Sequence, residues 1–186
     1  MSSDLTFITN ESGKSLRDRF GVLLGDDTRF FDCLVGYFYI SGFYKLYPAL
    51  TKTEKIRILI GIKTDRATYN LIQEGKQQEL VLESHAQAKA AAASAVRDEL
   101  EKSEDTPDVE EGVRKFVEWI ASGKLEIKAY PSERVHAKLY IMTFHEGDRD
   151  KGRVITGSSN FTEAGLRDNL EFNVELKNPS DYEFAL

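Results

Sequence analysis

The sequence predicts an α/β domain with a mixed central β-sheet flanked by helices, on three observations. Short apolar runs alternate along the chain with amphipathic helical patterns. Two of those runs, FDCLVGYFYI at 31–40 and KIRILIGI at 55–62, are largely apolar on both faces, as strands in the middle of a sheet are. The chain has 186 residues, 41% hydrophobic and 30% charged, the size and mix of one globular domain that needs no disulfide or metal to hold it.

The elements follow in order. Residues 5–9 read as a weak first strand and 15–24 as a short helix. The aromatic-rich run 31–40 is the central strand, and Ser41 is placed to cap a helix that runs to about residue 50. Residues 55–62 form a third strand. From 67 to about 102 the residues are strong helix formers around AKAAAASAV at 88–96, which predicts a long alanine-rich helix in the middle. Its large apolar residues are sparse, so it packs lightly or projects. In the next segment Val109, Val113, Phe116, Val117 and Ile120 share one helical face, with Pro107 near the start and Gly123 just past the end. The last third reads as four strands, at 125–130, 134–142, 152–157 and 169–176, with a polar loop at 145–151. Ser180 and Glu183 match a capping box before a helix that stops at Leu186. We therefore expect one domain over 1–178, with 179–186 opening a linker or next domain of a longer protein.

Composition excludes several classes. The chain holds 25 Lys+Arg against 31 Asp+Glu, a net charge of −6, so it is no generic basic coat for nucleic acid. The stretch 98–111 carries eight acidic residues and one base, Lys102, so the rest of the chain sums to +1. The single cysteine, Cys33, rules out an intramolecular disulfide and a Cys-based zinc cluster. No apolar run approaches a membrane span, and the first residues are too polar for a secretory signal, so a cytoplasmic location is expected.

Strand 134–142 carries the first chemical signal. Alternation predicts Val135, Ala137, Leu139 and Ile141 on the core face and His136 and Lys138 together on the other. An imidazole beside a fixed cation suits a phosphate, as nucleophile or general acid and as charge partner. The plain alternative is an edge strand with two polar residues on its wet face. Downstream, Gly157-Ser158-Ser159-Asn160 follows an apolar strand and precedes a helix expected near Thr162. Its small residues admit an anion close to backbone N–H groups, hydroxyls and the Asn160 amide. Glu171, read as lying on the following strand, is a carboxylate able to orient an imidazole.

In order, His136-x-Lys138, Gly157-Ser158-x-Asn160 and Glu171 resemble the H-x-K…G-S-x-N signature of the phospholipase D superfamily. The segments LVGYFYISGFYKLYPAL (34–50) and KIRILIG (55–61) are similar to nuclease-like members fused ahead of Swi/Snf-type helicases. The family pattern has an aspartate where this chain has Thr143, and Glu171 is the candidate to replace it. The resemblance implies a phosphodiesterase or nuclease acting on DNA without metal or other cofactor. Two copies of His136 would meet across a homodimer's two-fold axis, one attacking phosphorus and the other protonating the leaving oxygen. Lys138, Asn160 and Ser158 would hold the phosphate oxygens. A helicase motor would lie beyond Leu186.

Other motifs carry less. TNESGKS at 9–15 ends like a P-loop, but Ile8 stands where the first glycine is required, so it reads as a helix start. His85 and His145 show no metal-ligand spacing. The cluster Tyr37, Phe38, Tyr39, Phe43, Tyr44 and Tyr47 reads as core or dimer contact, with a stacking platform for bases as the alternative. Arg134, Lys138, Arg153 and Arg167 are candidates for a local phosphate-binding patch. The competing functional reading is a DNA-binding module that positions an attached motor without turnover. A purely structural dimerisation domain ranks third.

Overall fold

A computed structural model describes residues 5–25, 28–64, 72–73, 76, 107–129, 136–148 and 150–186. The alanine-rich segment read as a long central helix lies outside the described residues.

The chain builds one seven-stranded mixed sheet in the order β1-β7-β6-β5-β2-β3-β4. The strands are β1 (Leu5–Ile8), β2 (Thr28–Phe38), β3 (Lys55–Thr64), β4 (Leu125–Ala129), β5 (Lys138–Phe144), β6 (Gly152–Gly157) and β7 (Asn173–Leu176). β2, β3 and β4 run parallel, whereas β5, β6, β7 and β1 continue the sheet as antiparallel neighbours. The aromatic-rich run is central as expected, clamped between β3 and β5.

Three helices cover one face: α1 (Leu16–Leu24), α2 (Ile40–Leu46, continued by a 3-10 turn Tyr47–Leu50) and α3 (Pro107–Ala121). Ser15 caps α1 by accepting from the Asp18 N–H at 3.0 Å, so the GKS tripeptide is a helix start. α2 begins one residue earlier than Ser41, with Tyr39 at its N-cap position. The apolar stripe of α3 is buried as its spacing requires, and Gly123 ends it at φ 73°, where a side chain would be strained. Phe20, Phe31, Tyr140 and Phe161 meet in the main core with ring centroids 5.1–6.4 Å apart.

The opposite face has a smaller cluster, in which Tyr182 of α4 (Pro179–Ala185) packs on Ile141 and Val154. The capping box expected of Ser180 and Glu183 is not formed. Asn178 caps α4 by accepting from the Ser180 N–H, and Glu183 instead pairs with Lys151 at 2.6 Å.

Candidate active site

His136 and Lys138 stand at the start of β5, beside the end of β2, where Lys138 pairs with Val35. The strand begins at Lys138, so His136 precedes it. The faces are also the reverse of the alternation read from sequence. Lys138 shares its side with Tyr140 and Met142, which point into the main core, and is itself 7% exposed. Leu139 and Ile141 serve the smaller cluster under α4, and Ala137 is exposed. The error has a physical source: both faces of β5 are covered, so an apolar row does not single out the principal core.

The Lys138 ammonium, a donor only, lies 2.8 Å from Nδ1 and 3.2 Å from Nε2 of His136 and donates to the His136 carbonyl at 3.0 Å. The ring nitrogen it meets is an acceptor in that contact. His136 itself is exposed, with the Tyr37 ring edge-on at 6.4 Å.

The G-S-S-N segment leaves β6 and is held by a buried polar network. Ser159 is fully buried: its N–H donates to Asn173 Oδ1 at 3.2 Å, its hydroxyl accepts from Asn173 Nδ2 at 2.8 Å, and its carbonyl accepts the Tyr140 hydroxyl at 2.8 Å. Satisfied on every side, this network fixes the loop, whereas any one partner lost would leave buried groups unpaired. Gly157 admits no side chain, because a Cβ would run into the Phe172 carbonyl and Asn173. The neighbours Ser158 and Asn160 are thereby aimed outward from a rigid base.

Asn160 Oδ1 accepts the Tyr37 N–H at 3.0 Å, and Tyr39 N–H donates to the Phe161 carbonyl at 3.0 Å. The first bond orients the Asn160 amide so that Nδ2 is the end left to donate. Ser158 donates its hydroxyl to Glu171 and accepts the Phe172 N–H at 2.9 Å. Glu171 is not on a strand: β7 begins at Asn173, and the residues before it form an irregular arm beside the site. Among the described residues Glu171 is hydrogen-bonded to Ser158 rather than to His136. The helix expected near Thr162 is a single π-helical turn, Ala164–Asp168.

The structure thus brings His136, Lys138, Ser158, Asn160 and Glu171 to one end of the sheet. Thr143 lies at the far end of β5, roughly 17 Å from Lys138 at strand rise, and its hydroxyl is 2.9 Å from that of Tyr182. Arg153 does not join a phosphate patch either, since it pairs with Asp150 and, at 3.6 Å, with the fully buried Glu175. Arg167 is exposed with Asp168 at 4.0 Å, and Arg134 lies outside the described residues.

Sequence reasoning gave Thr162 and Asn169 no role at the site, and weighed Tyr37 and Tyr39 only within an aromatic cluster read first as core or dimer contact. These residues, with Asn160, Gly165 and Glu171, line an open cleft of about 230 Å³ beside His136. The tyrosines reach it through a register break between β2 and β3 after Val35. Phe31, Cys33 and Val35 are buried, and unbroken alternation would bury Tyr37 and Tyr39 as well. Instead Phe38 and Ile40 are buried and the tyrosines are half-exposed. Gly36, inside a strand pattern, was the available signal of such a break.

Burial lowers the Lys138 pKa from its ordinary value, with the nearby Glu171 charge opposing the shift in part. Among the described residues no group of three or more His, Cys, Asp or Glu side chains is placed to hold a metal ion. Nor is any helix there long and apolar enough to cross a membrane.

A mixed sheet whose β5 entry presents His-x-Lys against an outward-aimed G-S-x-N loop defines a phospholipase D-like domain. Residues 33–185 match the family described as "Cardiolipin synthase, PLD-like domain", and the chain belongs to that family. Comparison with curated protein sequences gave no match. Among solved structures, the chain is similar to the phospholipase D family member Nuc from Salmonella typhimurium, with 15% identity and a TM-score of 0.49 over 97% of this chain and 87% of that one. It is also similar to NucT from Helicobacter pylori, with 10% identity and a TM-score of 0.48 over 97% and 89%. Yeast tyrosyl-DNA phosphodiesterase matches with 14% identity and a TM-score of 0.47 over 92% of this chain and 31% of its own.

Proposed function

We propose that this domain is a metal-independent phosphodiesterase acting on DNA, with His136 as nucleophile in a site shared by two protomers. The observation that carries the reading is the contact of Lys138 with the His136 ring. A ring nitrogen of one His136 attacks phosphorus. The P–O bond to the leaving nucleoside breaks, and the partner's His136 gives its proton to that oxygen. The partner's His136 then takes a proton from water, which attacks phosphorus and breaks the P–N bond, restoring both imidazoles. Lys138 and Asn160 Nδ2 hold the non-bridging oxygens, and Ser158 holds them once its bond to Glu171 is exchanged for one to phosphate. Once Ser158 turns to the phosphate, Glu171 is released to accept from an imidazole N–H of the assembled site.

A second copy has an apolar surface to meet: Phe7 (54% exposed) packs on Phe172 (56%), and Leu170 (81%) is exposed on the same arm. An attached helicase motor belongs to the same proposal and is supported by the resemblance of segments 34–50 and 55–61; so does a cytoplasmic location. The second reading, a binding module without turnover, is favoured by Thr143 in place of the family aspartate.

The test is hydrolysis of single- and double-stranded DNA in excess EDTA, with molar mass followed by light scattering. Cleavage that survives EDTA in a dimeric species supports the enzyme. DNA affinity without cleavage supports the binding module, and a monomer that cleaves overturns the shared site.

The buried lysine makes a further prediction. Because its pKa is lowered, Lys138 loses its charge below the roughly 10.4 of a free lysine. DNA affinity should therefore fall on an alkaline limb that begins below that pH, and Lys138→Met should remove both the limb and most of the affinity. Its effect on the fold has the opposite sign. The folded state gives up this proton more readily, so the cost of Lys138 to stability is present below the folded pKa and vanishes above the unfolded one. Lys138→Met should accordingly leave the melting temperature at neutral pH unchanged or higher.

A further inference from the structure

The cleft beside His136 has a composition that phosphate chemistry does not account for. Two tyrosines, Tyr37 and Tyr39, line it together with the polar residues Thr162, Asn160 and Asn169. Gly165 is also in the lining, and a Cβ there would press on the Asn160 backbone, so a side chain would disturb the cleft. Asn10 ties the arm that carries Asn169, donating from Nδ2 to the carbonyls of Gly165 at 2.9 Å and Asn169 at 3.0 Å. Glu171 stands in the same lining, and its carboxylate, an acceptor only, disfavours a second phosphate inside. At about 230 Å³ the cleft falls below the range of whole-ligand pockets, roughly 300–1,000 Å³, and suits one flat heteroaromatic group.

We infer that this cleft is a base subsite, taking one unstacked nucleobase of the strand whose phosphate lies at His136, with Tyr39 and Tyr37 supplying the stacking surface. The inference rests on the proposed phosphodiester chemistry and adds a substrate class to it: single-stranded nucleic acid, since a base held in a duplex cannot enter. Tyr37 touches both subsites, packing on His136 with its ring and on Asn160 with its backbone. Tyr39 belongs to the cleft alone. The amide of Asn169 and the Thr162 hydroxyl meet the edge of the base, where each can donate or accept. Stacking does not distinguish bases, because each has a π-face, so the subsite confers strandedness more than sequence.

The experiment measures binding by fluorescence anisotropy in EDTA, using a labelled twelve-residue oligothymidylate and an abasic strand of the same length and phosphate count. Protein carrying His136→Ala prevents cleavage during the measurement. The base-bearing strand is expected to bind about five- to a hundred-fold more tightly than the abasic one, the range of a single stacked base. Tyr39→Leu should cut that preference to below about two-fold while affinity for the abasic strand stays the same. Tyr39→Phe, which keeps the ring, should retain the preference and shows that loss in Tyr39→Leu is not misfolding. Equal affinity for the two strands, or a preference untouched by Tyr39→Leu, overturns the subsite. A base preference in a protein that fails to cleave in EDTA removes the catalytic reading and leaves the subsite standing. Cleavage with no base preference does the reverse.

Discussion

His136→Ala should abolish EDTA-resistant hydrolysis, with a loss of about 10⁴-fold or more, as expected when a covalent nucleophile is removed. The fold should be retained, because the His136 side chain is exposed and Lys138 keeps its bond to the His136 carbonyl. Mixing separates a shared site from two independent ones. If each turnover needs one His136 as nucleophile and the partner's His136 as acid, only dimers with two wild-type protomers are active. After subunit exchange at equal concentrations, activity should be about a quarter of that of the same total amount of wild-type protein, by random pairing across a two-fold axis. Independent sites would leave about half. Initial rates on a labelled oligonucleotide, followed across mixing ratios, give a quadratic or a linear dependence on wild-type fraction. Quenching the first turnovers in alkaline detergent, where a P–N bond survives, should also trap label on the wild-type chain and none on His136→Ala.

Glu175→Ala should give the largest loss of stability. Glu175 is fully buried on β7, bonded twice to Arg19 of α1 at 2.6 and 2.7 Å and approached by Arg153 at 3.6 Å. Truncation would leave the partly buried Arg19 guanidinium without its carboxylate and Arg153 with Asp150 alone, and breaking a buried pair in this way typically costs about 3–5 kcal/mol. For a domain of this size that corresponds to a fall in melting temperature of very roughly 6–20 °C. Glu175→Gln keeps the shape and acceptor oxygen and should cost less. Thermal unfolding at neutral pH, in low and high salt, checks both variants. A shift below about 1 kcal/mol for Glu175→Ala would mean the arginines find water or other partners.

How much of this was legible in the residues differs from element to element. The α3 stripe, the Ser15 cap and the central place of β2 were readable because each depends on local spacing and on burial of a continuous apolar surface. β7 was not. Its arm and strand carry apolar side chains at 170, 172, 174 and 176 and polar ones at 171, 173 and 175, and here the polar set is turned inward. Asn173 and Glu175 are fully buried, whereas Leu170 and Phe172 face solvent. Periodicity shows that two faces differ. It does not show which of them meets Ser159, Arg19 and Arg153, residues distant in the chain.

The same division runs through the candidate site. From the sequence by itself came the residue types and their order, H-x-K, G-S-x-N and a later glutamate, together with the α/β class that could bring them to a sheet end. Those follow from local chemistry, because a nucleophile, a cation and an amide are recognisable wherever they stand. Only the tertiary structure decided that Lys138 lies on the core side of β5, where burial lowers its pKa. It also decided that Glu171 bonds Ser158 and that Tyr37 and Tyr39 face the cleft. These outcomes depend on strand register, on a break after Val35 and on partners more than a hundred residues away. Such long-range pairings are chosen by the packing of the whole sheet, and no short window of sequence contains them.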